Sequence, residues 1–122
     1  MTISSTMDTY LEAIYILSEE KPFVRTTDIS NYLNISKPSV NRAVNTLKEN
    51  GYVTHQTYGD IFLTDEGRKI GCEVFKRHHI IKKFLVCVLH IPMEQADKEA
   101  ISIEHGIGDH TVYKMSQYLK CS

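Results

Sequence analysis

The sequence predicts a mainly α chain: an N-terminal winged helix-turn-helix with a two-stranded wing, then a helical region. Three observations predict it. Apolar residues recur at three- and four-residue steps in successive segments; a short second helix passes through a tight turn into a third with a polar open face; two β-prone triplets follow at once. With 122 residues, 42% hydrophobic and 24% charged, the chain has the composition of an ordinary globular protein, not of a disordered or fibrous one.

The elements follow in order. Met7, Tyr10, Leu11, Ile14 and Leu17 mark an amphipathic first helix, capped by Ser5 or Thr6 and running to about Glu20, where Lys21-Pro22 breaks it. A short second helix takes Thr26 or Thr27 as its cap and buries Ile29, Tyr32 and Leu33. After the tight Asn34-Ile35-Ser36 connection, Ser36 caps a third helix. Pro38 sits in its first turn, where a missing amide proton costs nothing. Val40, Ala43, Val44 and Leu47 form its inner stripe, and Asn50-Gly51 ends it. Tyr52–His55 and Ile61–Leu63 read as strands around the turn Tyr58-Gly59-Asp60. Thr64 or Asp65 caps a long fourth helix from about Glu66 to Leu89. Pro92 opens a fifth that reaches about His105, and Asp109 caps a sixth that ends near Lys120. The expected domains are 1–64 and 65–122, the fourth helix linking them.

Several function classes drop out. No basic segment leads into an apolar run at the start, and no stretch reaches the ~20 apolar residues of a membrane span, so a cytoplasmic chain is expected. Cys72, Cys87 and Cys121 are widely spaced and form neither a CxxC pair nor a disulfide framework. No HExxH, Gly-rich phosphate loop or Cys–His–acid motif is present, and no catalysis is expected.

The net charge of -1 hides a division. Residues 1–20 carry four acids and no base, residues 21–83 an excess of five bases, and residues 84–122 an excess of two acids. The basic stretch contains the third helix. Its open face carries Lys37, Ser39, Asn41, Arg42, Asn45 and Lys48, with no acid before Glu49. Hydrogen-bonding and cationic groups without interleaved acids suit the major groove of DNA better than a merely solvated face. A winged-helix module that binds protein is the rival class, and this face argues against it.

These residues resemble the diphtheria toxin repressor and manganese transport regulator family of metal-dependent transcriptional regulators, most nearly its shorter, manganese-type members. The resemblance rests on Met7-Asp8-Thr9-Tyr10-Leu11-Glu12-Ala13-Ile14-Tyr15, Ile35-Ser36-Lys37-Pro38-Ser39-Val40, Leu63-Thr64-Asp65-Glu66-Gly67, Arg77-His78 and Ile103-Glu104-His105. It implies a repressor that binds a near-palindromic double-stranded operator as a homodimer, with no membrane partner and no small organic ligand. Ser39, Asn41, Arg42 and Asn45 would read bases; Thr26, Thr27, Lys37 and Lys48 would meet phosphates; the wing with Tyr58 would flank the backbone. Ile101, Ile103, Ile107, Val112, Met115, Tyr118 and Leu119 would supply the helical dimerisation region.

The resemblance also implies a divalent transition metal, manganese or iron, held by Glu12, His78, Glu104 and His105. Thr9 and Ile101 stand where the family has further ligands, which points to one ion rather than two. Lys82 stands one turn after His78, where some members have an acid, and is expected to pair with Glu12 or Glu104. Asp97 stands where iron-type members have a second His. The alternative reading is the same fold acting as a metal-independent regulator.

Overall fold

The computed structural model describes residues 5–56 and 59–121. Within them run α1 (Ser5–Glu20), α2 (Thr26–Leu33), α3 (Lys37–Glu49), β1 (Val53–His55), β2 (Ile61–Leu63), α4 (Asp65–Cys87), α5 (Met93–Glu104) and α6 (Asp109–Cys121). The chain divides into two compact units, Met1–Val74 and Phe75–Ser122, and the division falls within α4.

The first unit is built on one apolar core. Leu11 and Ile14 of α1, Ile29 of α2, and Val40, Val44 and Leu47 of α3 are fully buried in it. β1 and β2 pair antiparallel with Val53 opposite Leu63, Thr54 opposite Phe62 and His55 opposite Ile61. Alternation sends Val53 and Ile61 inward and leaves Thr54 and Phe62 exposed. Val24 adds a single bridge to Ile61, its carbonyl accepting from the Ile61 amide at 2.7 Å.

Two local expectations change. Tyr32 is 50% exposed rather than buried. On a two-turn helix whose inward line is set by Ile29, Leu33 lies ~40° from that line and Tyr32 ~60° on the other side, so Leu33 takes the packing. Neither Thr26 nor Thr27 caps α2. Arg25 is the N-cap in extended backbone, and Asp28 reaches back to accept from the Arg25 amide at 2.9 Å. The Lys21 ammonium, 2.5 Å from the Asp28 carboxylate, is the main reason that carboxyl is held below its usual range. A depressed carboxyl stabilises the fold above its unfolded pKa and loses that contribution on acidification, so α2 gains from this contact at neutral pH.

The turn into α3 is closed by Asn34, left-handed at φ 57°, whose amide and that of Ile35 both donate to the Ser30 carbonyl. Ser36 then caps α3 by accepting from the Ser39 amide. Of the two possible caps of α4, Thr64 is the one used. Its hydroxyl donates to the Gly51 carbonyl at 2.7 Å and accepts from the Gly67 amide at 3.1 Å, while its amide donates to the Tyr52 carbonyl at 3.0 Å. Gly67 makes this junction possible. A Cβ there would lie 2.0 Å from the Tyr52 carbonyl oxygen.

In the second unit Ile81 and Leu85 of α4 pack with Ala96 and Ala100 of α5 and Val112 of α6. Val112, expected at a subunit interface, belongs to this core, and Ile103, Ile107 and Met115 are packed against it. An interior small enough to be filled by two alanines recruits these side chains from α6 and the preceding turn. Ile101, Tyr113 and Tyr118 stay exposed. α4 ends at Cys87, two residues earlier than expected. His90 adopts φ 59°, and the Ile91 amide turns back to the Leu85 carbonyl, which no continuing helix allows. The α5–α6 turn is held by Arg77. Its guanidinium donates to the Glu104 carbonyl at 2.7 Å, to the Ile107 carbonyl at 3.0 Å and to the Asp109 carboxylate.

Two stability predictions follow from these contacts. Gly67→Ala gains roughly 1 kcal/mol of helix propensity but forces a carbonyl out of its place, and a net loss of about 2 kcal/mol is expected in urea unfolding. Arg77→Met removes three charge-assisted bonds, some of them solvent-screened, and should lower hydrogen-exchange protection of Gly106 and Val112 by about 1–3 kcal/mol. Protection of Ile61 and Thr64 should be unchanged in that variant.

Candidate functional site

α3 separates its two faces cleanly. Val40, Ala43, Val44 and Leu47 are buried, and Lys37, Asn41, Arg42, Asn45 and Lys48 are exposed. Ser39 is half-buried at the edge. The polar side chains brace one another. The Ser36 hydroxyl lies 3.0 Å from that of Ser39, and Arg42 Nη2 donates to the same Ser39 oxygen at 3.1 Å. The Thr26 hydroxyl donates to Asn41 Oδ1 at 3.0 Å, joining the start of α2 to the open face of α3. Thr27 is exposed beside it. Of the nine expected DNA-facing residues, eight are thus on α3 or at the start of α2. Tyr58 lies outside the described residues. At the wing, Asp60 accepts from Arg25 Nε at 3.0 Å, so the turn is tied to the entry of α2.

The second unit brings together three of the four expected metal ligands. Glu104, on the last turn of α5, is buried with 4% exposure. Its Oε1 stands 3.9 Å from His78 Nδ1 and 3.8 Å from His105 Nε2. His78 Nδ1 is itself buried and makes no hydrogen bond. Glu12 is half-buried on α1, in the first unit. Thr9 is half-buried there too, and Ile101 is 47% exposed on α5.

Two imidazole nitrogens converging on a buried carboxylate oxygen form the donor set that a borderline divalent cation takes. Among the described residues no three His, Cys, Asp or Glu side chains stand as a ready-made metal site. The donors suit a divalent cation in kind, and their separations of 3.9 and 3.8 Å are wider than those between neighbouring ligands of one ion.

Around this centre the structure corrects one pairing and adds two residues. Lys82, expected against Glu12 or Glu104, has the Asp97 carboxylate at 3.4 Å. Antiparallel helices explain it: one turn further along α4 from His78 means further back along α5 from Glu104, toward Asp97. Asp97 Oδ1 also takes His78 Nε2 at 3.0 Å. The hydrogen bond from His78, aided by the Lys82 ammonium, holds the Asp97 carboxyl below its usual range despite some desolvation. Arg77 is the second addition. Its partners lie 27 to 32 residues away, and no local spacing could announce them. Asp97 carried a weak signal, two turns before His105.

Comparisons with known proteins bear on both units. Residues 2–61 match the family described as iron dependent repressor, N-terminal DNA binding domain, and residues 64–121 match its metal binding and dimerisation domain. The HTH-type transcriptional regulator MntR of Geobacillus kaustophilus is 31% identical over 93% of this chain and 80% of its own length. Among solved structures, T. acidophilum IdeR superposes with a TM-score of 0.84 at 26% identity, covering 98% of this chain. A manganese-dependent transcriptional repressor in complex with manganese gives 0.86 at 26% identity over 93% of it. The chain spans about half of each of those two, 55% and 52% respectively. Among the described residues no helix is long and apolar enough to cross a membrane. The chain belongs to the iron-dependent repressor family, whose members are metal-dependent, DNA-binding transcriptional regulators.

Proposed function

We propose that this chain represses transcription as a homodimer on a near-palindromic operator, reading bases with α3 and holding one divalent cation in its second unit. The observation that carries the reading is the division of α3, whose apolar stripe is wholly buried while Asn41, Arg42, Asn45 and Lys48 all face outward. Arg42 and Asn45, with Asn41 and Ser39, have the donors and acceptors that base edges present in the major groove. Lys37 and Lys48, together with Thr26 and Thr27 at the start of α2, suit phosphates. One such head spans only a few base pairs, so two-fold pairing on a repeated half-site is required for specificity. The exposed Ile101, Tyr113 and Tyr118 support pairing through the second unit.

His78, Glu104 and His105 would hold the cation, manganese or iron in this reading. When bound, it supplies positive charge that offsets the buried carboxylate and ties α4 to α5. Arg77 keeps Glu104 in place through its main-chain carbonyl. The metal-independent alternative draws no support from the matched families.

Operator binding by fluorescence anisotropy across a salt series tests the first half. Affinity should fall about a hundredfold or more between 50 and 200 mM salt, as displaced counterions require. Arg42→Ala should cost about 1–3 kcal/mol per half-site with the dimer intact by ultracentrifugation. Specific affinity unchanged by that variant would remove α3 from the reading role. For the metal, Glu104→Gln should abolish stoichiometric manganese(II) uptake in equilibrium dialysis.

A further inference from the structure

We propose that Ser39 and Thr26 are positioning residues that determine base preference: they occupy the hydrogen-bond acceptors at the front of α3, so that this part of the helix meets a base edge with donors and selects guanine. The proposal rests on the reading of α3 as the base-reading helix and names the base its braced side chains take.

A hydroxyl carries one hydrogen and two lone pairs, and a guanidinium carries hydrogens only. Ser39 Oγ receives the Ser36 hydrogen at 3.0 Å and an Arg42 Nη2 hydrogen at 3.1 Å, so both of its lone pairs are filled. Ser36 is itself engaged, accepting from the Ser39 amide at 3.4 Å. What Ser39 has left for the groove is its own hydrogen. Where α2 meets α3, the Thr26 hydroxyl donates to Asn41 Oδ1 at 3.0 Å, which leaves that amide one lone pair against two Nδ2 hydrogens. Ser39, Asn41 and Arg42 together therefore offer donors almost alone.

That balance is the complement of one base edge. In the major groove guanine presents two adjacent acceptors, O6 and N7, whereas adenine and cytosine each present an amino group that needs an acceptor. Against such an amino group a donor surface leaves hydrogens unpaired on both sides, and unpaired polar groups discriminate strongly. One N–H of the Arg42 guanidinium is committed to Ser39, and its rigid fork still holds the parallel pair that clasps O6 and N7. Ser39 lies one helical turn before Arg42 on the same face. Their bond restrains a long side chain before DNA arrives, so less freedom is lost on binding.

The test uses the full chain, with manganese(II) and in parallel with chelator, on a pool of duplexes randomised over about two helical turns, selected by binding and sequenced. The wild type should enrich paired half-sites with a guanine in each, and Arg42→Ala should relax selection at that guanine. On the selected duplex, adenine in place of the guanine should weaken binding about tenfold or more per half-site by anisotropy. Ser39→Ala keeps the backbone amide that Ser36 caps. It should leave thermal unfolding and the salt slope unchanged while shrinking the guanine-over-adenine ratio about fivefold, and Ser39→Thr, which keeps the hydroxyl, should restore it. Thr26→Val should admit adenine or cytosine at a base next to that guanine, and Thr26→Ser should not. A Ser39→Ala variant with the wild-type ratio, or a base other than guanine at the position that Arg42→Ala relaxes, would overturn the proposal while leaving α3 the reader. So would an Arg42→Ala loss uniform over all sequences with a salt slope lower by about one, the mark of a phosphate contact. No enrichment, or selection unchanged in both Arg42→Ala and Asn41→Ala, removes α3 from the reading role, and the proposal falls with that reading.

Discussion

Burying the carboxylate of Glu104 is the constraint around which the second unit is arranged. An ionised group taken out of water costs several kcal/mol unless charge or hydrogen bonds replace its hydration. His78 and His105 stand 3.9 and 3.8 Å from the same oxygen, and Arg77 fixes the residue's own carbonyl while securing the turn that follows.

The first unit follows a different logic, in which no charged side chain among the described residues is buried. Its buried residues are aliphatic or aromatic, and its polar groups are distributed over the open face of α3 and the junctions between elements. Those junctions are where rigidity comes from. Asp28 closes the entrance of α2, Asn34 its exit, and Thr64 welds the wing to the start of α4. Ser36, Ser39 and Arg42 extend the bracing onto the exposed surface of α3 itself.

Most of the architecture was legible in the sequence because it is written in local periodicity. The stripe of Val40, Ala43, Val44 and Leu47 fixes both which face of α3 is buried and which is open, and the caps at Ser36 and Thr64 mark their helices without knowledge of the rest. What was not legible depends on contacts distant in sequence or on fine angular differences. Tyr32 and Leu33 are equally apolar neighbours, and only the line set by Ile29 decides between them. The partner of Lys82 depends on the relative register of α4 and α5, and the reach of Arg77 spans the whole second unit. The triad of His78, Glu104 and His105 could be assembled from the resemblance alone. The contact of Asp97 with His78 could not, because it depends on how α5 is set against α4.

The seam at the root of the wing has a consequence for how such a protein changes over time. Thr64 and the space left by Gly67 lock the two strands to the following helix, and Asp60, just before β2, is tied to Arg25. The root is fixed, because any side chain in place of Gly67 meets the Tyr52 carbonyl. Change among related chains has an inexpensive route through the exposed side chains of α3, and a duplicated copy could drift in what it touches long before it drifted in how it folds.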